Sequence, residues 1–225
     1  PAQLDELCTA GEVVWVGSGA IGSSDGRIRL CFVDQLALLA PSWERPEAPD
    51  GALHDAIRAH LAARGASFWA QLRGAAPSAT DAELLAALWD LVWAGEVTSD
   101  SLAPLRAVLG GARTGSGGRR RTAVRARHRP VRVARLGPPA GAGRWSLVAP
   151  LLTPEPTPTE AAHAQALQLL ERHGVVTRET VAGEGVTGGF SSVYAVLKVL
   201  EERGQLLLVA SCGHCCIDCV VDGRG

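Results

Sequence analysis

Methionine is absent from this 225-residue chain, lysine occurs once, and aromatic residues make up 4% of it. Arginine therefore carries the positive charge, 21 residues against the single Lys198. That bias fits a GC-rich genome as well as a physical demand for guanidinium groups. No apolar run reaches the roughly 20 residues that a membrane-spanning helix needs. No basic, apolar leader opens the chain, so the reducing cytoplasm is the expected compartment and no membrane partner is expected. Nor is there a Gly-x-x-x-x-Gly-Lys-Ser/Thr loop, and Lys198 falls in a helical pattern. No cofactor is therefore expected in this segment, and ATP should not bind it. Residues 2–10 read as the tail of a helix, which with the missing initiator Met suggests a segment of a longer protein.

Acidic residues are missing from one long stretch. Residues 101–154 hold eleven Arg and no Asp or Glu, although the whole chain has a net charge of −1. A block of one sign beside neutral-to-acidic neighbours points to a polyanion partner. The candidate nucleic-acid-binding residues are Arg113, Arg119, Arg120, Arg121, Arg125, Arg127, Arg129, Arg132 and Arg135. Two readings overlap here: an electrostatic tether for phosphate backbones, and a solvated low-complexity linker.

What is present is a phrase used three times. Leu4-x-x-Leu7-x-x-x-Gly11-Glu12-Val13 recurs as Leu88-x-x-Leu91-x-x-x-Gly95-Glu96-Val97 and as Leu197-x-x-Leu200-x-x-x-Gly204-Gln205-Leu206. Each copy reads as the end of an amphipathic helix, a glycine stop and the start of a strand. The last two copies extend backwards alike: Gly65 precedes Gly95, and Gly174 precedes Gly204, by the same interval. Helix, turn, short helix, turn, longer helix, strand is the order of a winged helix-turn-helix. The expected fold is mainly α with small β hairpins, built as tandem winged-helix modules.

The organisation expected along the chain follows from this. Residues 1–40 are the end of a preceding module, a helix and a β hairpin. Residues 50–109 form a winged helix that starts at a cap on Asp50, with Thr80 and Glu83 as a capping box for its third helix. Residues 110–143 are an Arg-, Gly- and Pro-rich flexible segment. Residues 144–210 form a second winged helix, starting near Thr159, and residues 211–225 a divergent Cys-rich tail. Leu88 and Leu197 hold equivalent, buried places in the third helices.

Other motifs carry less. Gly17-Ser-Gly19-Ala-Ile-Gly22 resembles a dinucleotide fingerprint, but the alternating Ile28, Leu30 and Phe32 follow where that motif needs a helix. A glycine-rich hairpin is expected. Cys212, Cys215, Cys216 and Cys219 lack the longer loop usual between zinc-binding pairs, so no metal is assigned. Cys8 and Cys31 read as buried free thiols. The six histidines show no ligand or triad spacing. Trp69, Trp89 and Trp93 read as core, with stacking on an unpaired base as the alternative for any exposed one.

Several phrases carry a family resemblance. They are Trp15-Val16-Gly17-Ser18-Gly19, Asp25-Gly26-Arg27-Ile28, the run Ala87–Thr98, Leu102-Ala103-Pro104-Leu105-Arg106, Gly143–Leu147 and Gly188–Tyr194. In this order they resemble the large helicase-related (Lhr) family over about residues 4–204. The resemblance implies a region beyond the motor of an ATP-dependent superfamily 2 DNA helicase that translocates 3′ to 5′ on single strands and is associated with DNA repair. ATP and Mg would belong to that motor, so no catalytic residue carries over to this chain. Single-stranded DNA or a DNA/RNA hybrid, the motor of the same polypeptide and self-association are the implied partners. Winged-helix DNA glycosylase activity and a purely structural docking role are the alternatives. From about Leu207 the likeness stops, which leaves the last wing open.

Overall fold

All three copies of the repeated phrase end a helix through the same hydrogen bonds. The computed structural model describes residues 2–22, 25–43, 45–113, 137–210 and 217–222. Helix α1 (Ala2–Ala10) stops at Gly11, where Gly11 N–H donates to Cys8 O at 3.2 Å and Glu12 N–H to Leu7 O at 3.0 Å. Gly95 and Glu96 donate alike to Val92 O and Leu91 O, and Gly204 and Gln205 to Glu201 O and Leu200 O. The three glycines have φ of 77°, 75° and 69°. That left-handed turn satisfies the helix's last carbonyls, and a side chain there would be strained. A strand follows each: β1 (Val13–Ile21), β4 (Val97–Ser99) and β7 (Leu206–Ala210).

Two compact units result: Pro1–Val33 with Arg45–Pro150, and Asp34–Glu44 with Leu151–Gly225. These boundaries cut across the expected ones. In the first unit, α1 and the antiparallel hairpin of β1 and β2 (Asp25–Phe32) precede a winged helix. The winged helix comprises α3 (Ala52–Arg64), β3 (Ser67–Phe68), α4 (Trp69–Ala75), α5 (Asp81–Trp93), β4, α6 (Ala103–Arg113) and β5 (Arg144–Leu147). Its sheet has the order β3-β5-β4, with Val97 opposite Leu147 and Ser67 opposite Trp145. Strand β5, within the residues expected to belong to the second winged helix, thus completes the sheet of the first unit.

The hairpin shares the core of this winged helix. Trp15 of β1 is fully buried, stacks on Trp89 of α5 (centroids 6.4 Å apart) and meets Trp145 of β5 edge-on. Thr98 Oγ1 donates to Trp15 O at 2.6 Å, which ties β4 to β1. A Cβ on Gly17 would stand 1.8 Å from Val92 O, and one on Gly26 2.4 Å from the Trp93 ring. The glycine-rich segment is therefore a strand packed flat against α5 and its C-terminal turn. Arg58 of α3 grips Glu96 through two N–H groups, at 2.6 and 2.8 Å, and steadies the same turn.

In the second unit the order repeats: α7 (Pro158–His173), β6 (Val175–Val176), α8 (Arg178–Gly183), α9 (Gly189–Glu202), β7 and β8 (Ile217–Asp222). Its sheet order, β6-β8-β7, matches that of the first. Backbone pairing thus carries the sheet into the region expected to be a divergent tail, with Leu207 opposite Val221. Leu197 is fully buried with Ala166, Leu169, Val181 and Val193, as Leu88 is in the first unit. Val33–Leu39, where the sequence reading expects no helix, is helix α2. Beyond it Ser42 hydrogen-bonds Gln165 of α7, and Thr187 N–H donates to Ser42 O at 3.1 Å.

One expected helix cap is corrected. Gly51, at φ 147°, precedes α3 without a side-chain cap, so Asp50 is not its N-cap. Helix α7 starts near Thr159, as expected, with Thr157 as its cap: its hydroxyl accepts from Glu160 N–H, and Pro158 occupies the first helical position, where its missing N–H costs nothing. The Thr80–Glu83 capping box forms as expected. Cys8 is buried, while Cys31 is only half-buried. Among the described residues no helix is long and apolar enough to cross a membrane.

Candidate nucleic-acid interface

A helix-turn-helix meets nucleic acid with an exposed second or third helix and, where there is one, a wing. The two third helices differ sharply in what they present. Helix α5 buries Leu84, Ala87, Leu88, Trp89, Leu91, Val92 and Trp93, and its exposed positions include Asp81, Glu83 and Asp90 but no cation. Anionic and covered by the β1–β2 hairpin, it suits protein packing rather than phosphate contact. Helix α9 buries Phe190, Val193, Leu197 and Leu200, and exposes Ser191, Ala195, Lys198, Val199 and Glu202. The small residues at Ser191 and Ala195 allow close approach, and Lys198 is exposed on this helix. Arg178, the first residue of α8, lies with its guanidinium carbon 5.0 Å from the centre of the Phe190 ring, a cation–π contact.

The wing of the first unit explains where the Arg-rich sequence belongs. A wing is the connection between the last two strands, here β4 and β5. Residues 100–143 connect these two strands, beginning with α6. The base of this connection is clamped: Asp100 accepts from both Arg144 N–H (2.8 Å) and Arg144 Nε–H (2.9 Å), and Asp100 N–H donates to Arg144 O. Arg113 is the last residue of α6. Arg119, Arg120, Arg121, Arg125, Arg127, Arg129, Arg132 and Arg135 lie outside the described residues. Cys212, Cys215 and Cys216 also lie outside them, between β7 and β8, at the wing position of the second unit.

Beside the base of this connection is a cavity of about 980 Å3. The start of α4, one face of α6 and residues 137–144 wall it, and Phe68, Trp69, Gln71, Arg106 and Arg144 line it. Trp69 is buried: Gly137 and Gly141 press so closely on its indole that a Cβ at either would stand within 2.5 Å. Phe68 is 55% exposed. Two aromatic residues at a strand-to-helix corner cannot both face the core, because successive strand side chains alternate. That alternation is the signal in the sequence for Phe68. Trp69, Trp89 and Trp93 are all buried, as the core reading expects.

Charge at the cavity is partly compensated. Arg106 donates to Asp5 at 2.7 Å; this hydrogen bond holds the Asp5 carboxyl below its usual range and raises the Arg106 pKa in turn. In the second unit, burial works against the Glu184 carboxylate. Hydrogen bonds from Arg172 and His173 outweigh it, so the Glu184 pKa is also lowered. Three of the described histidines have structural partners: His54 meets Asp90 at 3.1 Å, His60 meets Ser67 at 3.2 Å and His173 meets Glu184 at 3.1 Å. Among the described residues no group of three His, Cys, Asp or Glu could hold a metal ion.

Comparison with known proteins matches both ends of this architecture. Two family models described as "Large helicase-related protein, winged-helix domain" match it: the third such domain at residues 1–33 and the fourth at residues 155–208. The chain is 41% identical over 215 residues to "Lhr helicase/ probable uracil glycosylase" of Mycolicibacterium smegmatis. It is 36% identical over 216 residues to "Lhr helicase/uracil glycosylase" of Escherichia coli. Each match covers 91% of this chain and 14% of the relative, so the chain spans about one seventh of their length.

Proposed function

The chain belongs to the large helicase-related family, as a C-terminal winged-helix region, and from that premise we propose that it is the nucleic-acid-binding and assembly region of an ATP-dependent DNA helicase. The motor, with its ATP and Mg, would lie elsewhere in the same polypeptide, as would the 3′-to-5′ translocation on single strands in DNA repair. Within this chain the work divides between the units. Helix α9 of the second unit is the open third helix. The first unit uses its third helix to pack protein and carries its cations on the wing connection instead. The observation that carries this reading is the position of the Arg-rich stretch: its ends are fixed at a wing, the element that flanks bound nucleic acid in this fold. Arg113, Arg119, Arg120, Arg121, Arg125, Arg127, Arg129, Arg132 and Arg135 are the proposed phosphate contacts, and single-stranded DNA or a DNA/RNA hybrid the partner.

The buried α5 also favours a docking role for the first unit, toward the motor or a second copy of the chain. Base excision is less well supported. It requires a carboxylate or amide beside an extruded base. No carboxylate lines the cavity, and Gln71 Oε1 already accepts from Phe68 N–H at 2.7 Å.

The test is a fluorescence-anisotropy titration of the chain with a single-stranded oligothymidylate at several salt concentrations. Changing Arg119, Arg120, Arg121, Arg125, Arg127 and Arg129 to Gln should weaken binding. It should also make the slope of log affinity against log salt shallower by about 0.7 per lost phosphate contact. Equal affinities and equal slopes would leave the stretch an inert linker.

A further inference from the structure

The cavity of the first unit contains no residue of the third helix, so it is a second surface on that module. The geometry points to a pocket for a single unpaired nucleobase of a bound strand, stacked on Phe68 with its flanking phosphates on Arg106 and Arg144. This rests on the reading that the chain binds nucleic acid. Phe68 lines the cavity with 55% of its surface exposed, so its ring is not consumed by the core. Much of the remaining wall is small and apolar, with Ala103, Ala107, Pro138 and Pro139, which leaves room for a flat ring, and Gln71 adds an amide at its edge. Arg106 and Arg144 line the same cavity with about half of each side chain exposed. A guanidinium has five N–H donors, and neither Arg commits all of them to its carboxylate.

Charge selects the occupant. Both the α6 wall and the 137–144 wall belong to the stretch of eleven Arg without an acid, so an anionic chain is drawn to this edge. Among anionic chains, a single-stranded nucleic acid also supplies a flat π face for an exposed phenyl ring. A duplex does not, because its bases are stacked inside. With no carboxylate in the wall, the base is held there and not cleaved.

The test uses the whole chain and two labelled strands of about twelve nucleotides, a length within the reach of one binding site. One is oligothymidylate. The other has the same phosphates and sugars, but its bases are replaced by abasic tetrahydrofuran. Wild type should bind the base-bearing strand about tenfold more tightly, the scale of one stacked base. Phe68→Ala should lose most of that preference while binding the abasic strand as wild type does, and Phe68→Tyr should keep it. Ala103→Trp, which fills the cavity from an exposed position and leaves Phe68 itself unchanged, should lose it too. Equal wild-type affinity for the two strands, or an undiminished preference in both Phe68→Ala and Ala103→Trp, would overturn the pocket while nucleic-acid binding stood. Binding to neither strand would overturn both.

Discussion

Replacing Gly17 with Ala probes the contact that joins the N-terminal hairpin to the first winged helix. The added methyl would lie 1.8 Å from the backbone oxygen of Val92 and 2.7 Å from its carbonyl carbon. Neither partner is a flexible side-chain tip, so relief requires moving one backbone segment by well over an ångström. If the hairpin lifts, Trp15 leaves its place between Trp89 and Trp145, and Thr98 loses its buried hydrogen bond to Trp15 O. Overpacking alone costs about 1–3 kcal/mol, and loosening a large buried aromatic approaches the roughly 3–5 kcal/mol of a Trp-to-Ala truncation. A loss of about 3–5 kcal/mol is expected. The control is Gly22→Ala in the same motif, where φ is 68° and nothing lies within 4 Å. Only backbone strain applies there, about 1–2 kcal/mol. Urea denaturation followed by Trp fluorescence reads both variants, since four of the six Trp form the cluster around Trp89. If Gly17→Ala proved no less stable than Gly22→Ala, the hairpin would not be part of this core, and the glycines would need another explanation.

Two further outcomes are expected in the second unit. Leu197→Ala should cost about 2–5 kcal/mol because the side chain is fully buried, whereas Val199→Ala, at a position 44% exposed, should stay within about 0.5 kcal/mol; matching urea midpoints for the two would refute the assigned face of α9. The lowered Glu184 pKa means that the unfolded chain takes up the proton first. Its stabilisation is therefore complete above the unfolded value of about 4.3 and is lost as pH falls through the folded value. Circular-dichroism urea titrations between neutral pH and about pH 3 should show Glu184→Gln losing less stability on acidification than wild type, and identical pH profiles would refute the Arg172–Glu184–His173 linkage.

Local chemistry made much of this protein legible from its residues. The glycines at 11, 95 and 204 stop helices because a left-handed residue satisfies orphan carbonyls within one turn, and Thr80 with Glu83 opens α5 by the same short-range logic. The buried faces of α5 and α9 followed from helical periodicity. Tertiary structure decided the rest. Strands β3 and β6 have two residues each, too few to show a period. Strand β5 reaches its place between β3 and β4 from beyond the whole Arg-rich connection, a pairing no local pattern announces. The N-terminal hairpin shares a core with the winged helix that follows it because Trp15 buries itself against Trp89, a contact across more than seventy residues of chain. Which of Phe68 and Trp69 faced the core depended on two glycines, Gly137 and Gly141, that pack on the Trp69 indole from the far end of that connection. Hydrogen bonds within a turn are written in adjacent residues; the partner that fills a core or walls a cavity is chosen only when distant segments meet.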